Sequence, residues 1–134
     1  AIRRVKFRHL EGWTEARRGI ARKYTEMLAG AGVITPLEVP ECRHVYHLYT
    51  IRSHRRDELQ ERLRQAGIGS TVYYPLPLHL QPVFADLGGK AGNLPESERA
   101  AEEVLSLPMF PELLPEEVAE IGLHVLCGFD RFFG

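Results

Sequence analysis

A short stretch near the middle of the chain combines side chains that readily bind a polar ligand. Tyr73, Tyr74 and His79 lie within seven residues, and Pro75 and Pro77 stand between them. Because proline restricts the backbone, these polar groups lose little freedom when a ligand binds. Tyrosine hydroxyls and a neutral imidazole hydrogen-bond to sugar hydroxyls or phosphate, and their rings pack on a sugar or a base. The stretch predicts either a ligand-contacting loop or a proline-rich crossover whose tyrosines only pack beneath it.

A second group of reactive side chains predicts no metal site. Cys42, His44 and His47 carry the thiolate and imidazole groups that zinc prefers. Along a strand, however, His44 and His47 point to opposite faces, so they cannot readily share one ion. The two cysteines, Cys42 and Cys127, lack Cys-x-x-Cys spacing, and we interpret both as free thiols.

The common signatures of self-sufficient enzymes are absent from the sequence. It contains no Gly-x-x-x-x-Gly-Lys-Ser/Thr phosphate loop, no Gly-x-Gly-x-x-Gly turn, no Gly-x-Ser-x-Gly elbow and no His-Glu-x-x-His pair. Motifs alone therefore identify no catalytic residue.

Length and composition indicate a single globular domain. The 134 residues are 44% hydrophobic and 26% charged, with a net charge of −1 and a pI near 6.7. A chain of this size buries enough surface to form a core, which excludes disordered and low-complexity architectures. Its apolar runs are far shorter than the about 20 residues that cross a bilayer, and its first residues do not resemble a signal peptide. We expect a cytoplasmic protein with no membrane partner.

The near-neutral total hides two oppositely charged segments. Residues 1–24 hold eight basic and two acidic side chains, whereas residues 96–120 hold eight acidic and one basic. A basic helix can bind phosphates, but an acidic segment in the same small domain partly cancels the attracting field. We interpret both segments as solvated helix faces and expect no nucleic-acid partner. A nucleic-acid-binding module is the weaker alternative.

The elements that would position the tyrosines begin with a long amphipathic helix. Apolar residues at spacings of mostly three, four and seven follow one stripe from Ile2 to Leu28, and Gly30 and Gly32 end it. No capping residue precedes Ile2, so we expect the chain to begin inside a helix and to be a piece of something longer.

Short strands alternate with further helices. Clusters of β-branched and aromatic residues predict strands over 45–52 and 68–74, and a third short strand is predicted over 105–107, ended by Pro108. Further helices are predicted after the cap residue Ser53 with Gly67 as its stop, over Leu80–Leu87, after Pro95 and after Pro115. Three short strands are too few to close a barrel, so the order predicts an α+β fold with a small three-stranded sheet covered by helices.

Several sequence blocks follow one another in a recognisable order. They are His44-Val-Tyr-His-Leu-Tyr-Thr-Ile-Arg52, Arg56-Asp-Glu-Leu59, Tyr73-Tyr-Pro75, Pro77-Leu-His-Leu-Gln-Pro82, Leu94-Pro-Glu-Ser-Glu98 and Leu105-Ser-Leu-Pro-Met-Phe-Pro111. Together they resemble the C-terminal part of the DegT/DnrJ/StrS-type nucleotide-sugar aminotransferases. The opening helix, with Trp13 and Tyr24, resembles the region that leads into that part.

The resemblance implies a pyridoxal-phosphate enzyme of the aspartate-aminotransferase fold type, which moves an amino group from glutamate onto a nucleotide-linked keto sugar. Such enzymes have a large domain with the Schiff-base lysine and a small C-terminal domain, and they usually act as homodimers. Residues 1–32 would be the connecting helix and residues 33–134 the small domain. The resemblance also implies that Tyr73, Tyr74 and His79 contact the sugar nucleotide.

The lysines of the chain do not match the family's lysine segment. Lys6, Lys23 and Lys90 are the only lysines, and none lies in a similar sequence. Since the cofactor needs a lysine that forms an imine with it, we expect no catalytic residue, no bound cofactor and no activity in this chain alone. The alternative is a free-standing, non-catalytic α+β domain that binds a small ligand or regulates another protein.

Overall fold

A computed structural model of the chain describes residues 2–128, with side chains over 4–128. Along the chain the elements are α1 (Ile2–Phe7), α2 (Leu10–Met27), β1 (Tyr49–Arg52), α3 (Arg56–Gln65), the 3-10 helices Leu78–Leu80 and Pro82–Leu87, α4 (Pro95–Glu103), β2 (Val104–Leu107) and α5 (Pro115–Leu126). This order gives an α+β fold, as predicted. Within the described part of the chain, the helices are too short or too polar to span a membrane.

The sheet is smaller than the predicted three strands. β1 and β2 pair antiparallel, with Tyr49 opposite Leu107 and Arg52 opposite Val104. Single bridges flank this pair, one between Ile34 and Arg52 and one between Thr71 and Ser106. The described residues therefore form a two-stranded sheet with one isolated bridge at each edge.

Two predicted strands are shorter than their residue types suggest. The strand expected over 45–52 begins only at Tyr49, because Tyr46 has a φ of 46°, which no strand residue adopts. The strand expected over 68–74 is reduced to the bridge at Thr71. Gly69 offers no side chain to pack and Pro75 no N–H to donate, so the ladder does not extend on either side.

The single opening helix is also divided. α1 and α2 are separated at Arg8 and His9, where the N–H of His9 bonds to the carbonyl of Lys6 at 3.0 Å, three residues back instead of four. No glycine or proline stands at this break, and Gly12 lies inside α2. Residue types therefore carried no signal for it.

The ends of the later helices follow the sequence more closely. Pro95 and Pro115 each occupy the first turn of a helix, as predicted. Gly67 ends α3 with a φ of 75°, and the N–H of the next residue bonds back to the carbonyl of Leu63 at 2.8 Å. Ser53 accepts a hydrogen bond from the N–H of Arg55 at 3.1 Å, so it shapes the turn before α3 and does not cap the helix itself. The helix predicted over Leu80–Leu87 is instead the pair of 3-10 helices.

One apolar core joins α2, the sheet, α3 and α5. Its fully buried side chains include Tyr24, Ile51, Leu63, Leu105 and Val125. The Tyr24 hydroxyl donates to the carbonyl of Pro108 at 3.1 Å, and burial raises the pKa of this phenol. The apolar residues Ile20, Ala21 and Tyr24 of α2 are therefore buried inside the chain, whereas Leu10 at its start is exposed.

Charged side chains of α2 form ion pairs with the loop that precedes β1. Arg18 binds the Glu38 carboxylate at 2.6 Å and the carbonyl of His44 at 2.7 Å. Arg43, from the same loop, binds Glu15 at 2.6 Å and also Glu11. Of the basic segment, Arg18 thus pairs within the chain, and Arg17 donates to the carbonyl of Val45 at 3.1 Å.

Candidate functional site

Tyr73 and Tyr74 stand clear of the sheet edge. The preceding bridge holds the N–H of Thr71 3.1 Å from the carbonyl of Ser106, after which the chain leaves the core. Tyr73 is 49% exposed and Tyr74 71% exposed. The peptide bond between them is cis, and their rings lie 6.3 Å apart at 76°. Neither hydroxyl has a hydrogen-bond partner among the described residues, so both are available to a ligand.

Prolines and 3-10 turns give the following segment its shape. Pro77 is extended, with φ −56° and ψ 144°, and precedes the 3-10 helix Leu78–Leu80. Pro82 opens the second 3-10 helix, which Gly88 ends with a φ of 74°. Fixed proline φ angles limit the alternatives open to this backbone. The tyrosines are therefore followed by a braced segment.

His79 is turned into this segment and away from solvent. Its side chain is 12% exposed, and its Nε2 lies 2.9 Å from Oε1 of Glu98. Its Nδ1 is buried and has no partner among the described residues. No hydrogen bond or ring contact joins His79 to either tyrosine in the described part of the chain. The structure thus brings the two tyrosines together and sets His79 apart.

The Glu98 carboxylate has more donors than the imidazole alone. Both of its oxygens accept the N–H of Gly92 at 2.9 Å, and Oε1 also accepts the N–H of Leu94 at 3.3 Å. The Gly92 N–H and the His79 ring hold the pKa of this carboxyl below its ordinary value. Glu98 is therefore an ionised acceptor at neutral pH.

An apolar cavity opens beside His79. It measures about 360 Å³ and is lined by Leu78, His79, Phe84, Leu87, Gly89 and Leu94. Gly89 lies so close to the carbonyl oxygen of His79 that a Cβ at this position would overlap it. Only glycine fits this backbone approach.

The same segment leaves many large apolar side chains in water. The exposed ones are Leu76, Leu78, Val83, Phe84, Leu87 and Leu94. Four of them, Leu78, Phe84, Leu87 and Leu94, line the cavity beside His79, and large exposed apolar patches mark interaction sites. Together with the tyrosines, it makes the stretch 73–94 the best candidate for a binding surface.

Glu98 is the residue of this site that sequence reasoning missed. The run of acidic residues over 96–120 predicts a solvated helix face, but the Glu98 side chain is only 21% exposed. The available signal was the block Leu94-Pro-Glu-Ser-Glu98, which ends on this residue. Its partners Gly92 and Leu94 donate through the backbone, which leaves no mark on residue types.

The described residues do not form a site for pyridoxal phosphate. Lys6, Lys23 and Lys90 are all exposed, on α1, on α2 and in the loop after the second 3-10 helix. A covalent cofactor site places its lysine in an enclosed pocket next to a phosphate-binding group. None of these lysines has such surroundings in the part of the chain described.

The groups considered for zinc are separated as well. Nδ1 of His44 accepts the N–H of Tyr46 at 2.9 Å, and Cys42 and Cys127 are unpaired and exposed. Over residues 4–128, no three His, Cys, Asp or Glu side chains come together as a metal ion requires.

Comparison with known proteins identifies one family. The sequence profile of the DegT/DnrJ/EryC1/StrS aminotransferase family matches residues 1–125. A pleiotropic regulatory protein of Geobacillus stearothermophilus is 60% identical over 99% of this chain and 36% of its own length. A dTDP-3-amino-3,4,6-trideoxy-alpha-D-glucose transaminase of Streptomyces venezuelae is 40% identical over 84% of this chain and 30% of its own length.

A solved structure has the same fold. The crystal structure of DesV from S. venezuelae, in complex with a ketimine intermediate, superposes with a TM-score of 0.93 at 36% identity. The match covers 96% of this chain and 35% of the DesV chain. The chain thus spans about a third of the length of the relatives it matches.

Proposed function

Because the chain belongs to the DegT/DnrJ/EryC1/StrS aminotransferase family, we propose that it is part of an enzyme that moves an amino group from glutamate to a nucleotide-linked keto sugar. The observation that carries this proposal is the family match over residues 1–125. A relative named for amino transfer on a dTDP-linked sugar supports the substrate class. Since the chain spans about a third of such relatives, the activity belongs to the complete enzyme.

The complete enzyme would depend on pyridoxal phosphate. When bound, this cofactor supplies the electron sink and carries the amino group between the two substrates. The Schiff-base lysine would come from a large domain, with residues 1–32 as the connecting helix and residues 33–134 as the small domain. This chain alone would hold no cofactor and would be inactive.

Within the small domain, Tyr73, Tyr74 and His79 would form the sugar-nucleotide side. The two tyrosines offer exposed hydroxyls without partners among the described residues. A hydroxyl both donates and accepts, so each can bind a sugar hydroxyl or a phosphate oxygen. His79 would contribute the packing of its ring, because Nε2 is engaged by Glu98 and Nδ1 is buried.

Glutamate turnover tests the reaction class without knowledge of the sugar. The complete enzyme loaded with pyridoxal phosphate should convert glutamate to 2-oxoglutarate in an amount equal to its active sites, and continue only when a keto-sugar nucleotide is added. Mass spectrometry of the sugar product should then detect the amino group. Failure to release 2-oxoglutarate would contradict the proposal.

The isolated chain provides the matched control. Treated with pyridoxal phosphate and borohydride, it should show no single dominant labelled lysine on peptide mapping. One stoichiometrically labelled residue among Lys6, Lys23 and Lys90 would show that the chain holds the cofactor itself.

We propose that this chain associates into a homo-oligomer. Val5, Phe7 and Leu10 are exposed at the start of the chain, and exposed apolar surface favours association. Static light scattering of the 134-residue chain should give the mass of a dimer or larger species. A monomeric mass at every concentration, with no binding of an apolar dye, would contradict this proposal.

A regulatory role is the second candidate. The 60% identical relative is named a pleiotropic regulatory protein, which supports a regulatory domain as the alternative to an enzyme. The glutamate assay separates the two candidates, because a purely regulatory protein would bind a nucleotide sugar and release no 2-oxoglutarate.

A further inference from the structure

One carboxylate on α4 joins two separate pieces of the candidate site. Glu98 accepts His79 Nε2 from the first 3-10 helix at 2.9 Å, and the N–H groups of Gly92 and Leu94 from the loop before α4 at 2.9 and 3.3 Å. An ionised carboxylate has about four lone-pair positions, so these donors use most of its capacity. Glu98 thereby ties the loop before α4 to the 3-10 helix that follows Tyr73 and Tyr74.

The charge of Glu98 dictates how the imidazole is oriented. Because the Gly92 N–H and the His79 ring lower the pKa of this carboxyl, it only accepts hydrogen bonds at neutral pH. Nε2 of His79 must therefore carry a hydrogen, and in the neutral ring Nδ1 carries none. The partner of a histidine selects the tautomer in this way in many sites.

Neither nitrogen of His79 is free to bind a ligand directly. Nε2 is occupied by Glu98, and Nδ1 is buried. On the other side, the backbone of Gly89 packs against the carbonyl of His79, where no Cβ fits. His79 is fixed from two directions, which suits a residue that transmits position and does not itself hydrogen-bond to substrate.

We propose that Glu98 is a positioning residue, which acts through the Nε2–H of His79 to hold the proline-braced segment and so places Tyr73 and Tyr74 for binding of the nucleotide sugar. This inference rests on the proposed function. It adds that the affinity for the sugar nucleotide depends on a carboxylate that does not touch it.

Kinetics of the complete enzyme test the role of the carboxylate. Glu98→Ala should raise the KM for the nucleotide sugar about tenfold, the order expected when a charge-assisted hydrogen bond is lost, while 2-oxoglutarate release from glutamate stays within about twofold. Glu98→Gln keeps one acceptor oxygen, so its KM for the nucleotide sugar should lie between those of the wild type and Glu98→Ala. Glu96→Gln is the matched control, because Glu96 lies on the same helix and its one ion-pair partner among the described residues is Arg99. It should behave like the wild type.

Two substitutions of His79 separate positioning from direct contact. The amide nitrogen of Gln reaches the place of Nε2, so His79→Gln preserves the bond to Glu98. The shorter Asn reaches only the place of Nδ1, so His79→Asn loses that bond. We expect both variants to lose the packing of the ring. His79→Gln should therefore raise the KM less than His79→Asn, and His79→Asn should raise it at least as much as Glu98→Ala. Equal losses in the two His79 variants would overturn the positioning role.

The tautomer of His79 gives a readout that is independent of turnover. In the complete enzyme with ¹⁵N-labelled histidine, long-range ¹H–¹⁵N spectra should show a protonated Nε2 and a bare Nδ1, on the resonance that disappears in His79→Gln. Glu98→Ala should change this pattern. An Nδ1–H tautomer in the wild type would refute the inference without affecting the proposed function. An enzyme that does not use nucleotide sugars would refute the proposed function, and the spectra would still determine the tautomer of His79.

Discussion

The core and the stretch 73–94 contain the same kinds of side chain, but the core buries them and the stretch exposes them to solvent. In the core, Leu63 is fully buried among apolar neighbours, whereas Leu87 in the stretch is 81% exposed. Tyr24 donates to a backbone carbonyl inside the chain, whereas the hydroxyl of Tyr74 has no partner among the described residues. The core is complete within this chain. The stretch leaves side chains of the same types exposed to solvent.

The two regions also keep their shape by different means. Burial of apolar area holds the core, and such packing tolerates little loss of volume. The stretch is held by Pro77, by 3-10 turns, by the close approach of Gly89 to His79 and by the Glu98 carboxylate. These local devices preserve a surface without covering it.

The largest expected effect compares two identical substitutions in the two regions. Leu63→Ala should destabilise the chain by about 2–5 kcal/mol, because it leaves a cavity in a packed core. Leu87→Ala removes an exposed side chain and should stay within about 0.5 kcal/mol of the wild type. Urea denaturation followed by circular dichroism measures both. A large loss in Leu87→Ala would mean that the stretch is part of the core.

Sequence patterns predict the elements of the core more reliably than the structure of the stretch 73–94. The spacing of Val118, Ile121 and Val125 after Pro115 predicted α5, and all three side chains are buried. Repeated apolar spacing reports burial directly, so helices that contribute to the core are legible. The predicted strand at 45–48 failed because Tyr46 is left-handed, a backbone property that its residue type does not encode.

The candidate site could be predicted from the sequence only where the residue types themselves indicate it. Two adjacent tyrosines followed by prolines indicate a braced polar segment. The partnership of His79 with Glu98 could not be predicted, because the two are 19 positions apart and meet only after the loop folds back. Backbone donors such as Gly92 are equally invisible in a sequence.

Alanine substitutions of two glycines, one in the stretch and one in α2, should change the stability in opposite directions. Gly89→Ala forces a Cβ onto the His79 carbonyl and should cost about 1–3 kcal/mol, as overpacking does. Gly12→Ala lies in α2 with no atom within 4 Å of the new Cβ, so it should stabilise the chain by about 0.5–1 kcal/mol. Unfolding free energies from the same denaturation experiment decide between the opposite signs. A neutral Gly89→Ala would show that the stretch yields easily.

The smallest expected effect on stability comes from protonation of Glu98 at acid pH. The pKa of Glu98 is lowered in the folded chain by the Gly92 N–H and the His79 ring, so the folded state binds this proton less tightly than the unfolded state. The interaction stabilises the fold above the unfolded pKa of about 4.3 and is lost as the pH falls through the lower folded value. Glu98→Gln should therefore show a shallower decline in stability below about pH 4.3. Parallel curves for the two proteins would contradict this assignment.

The most direct measurement of the central claim replaces one hydroxyl on the exposed stretch. In the complete enzyme, Tyr74→Phe keeps the ring and removes only the unpartnered hydroxyl. It should lower kcat/KM for the nucleotide sugar about two- to tenfold, the loss expected for one neutral hydrogen bond, and leave the release of 2-oxoglutarate from glutamate unchanged. An equal loss on both substrates, or no loss on either, would contradict a sugar-binding role for this surface.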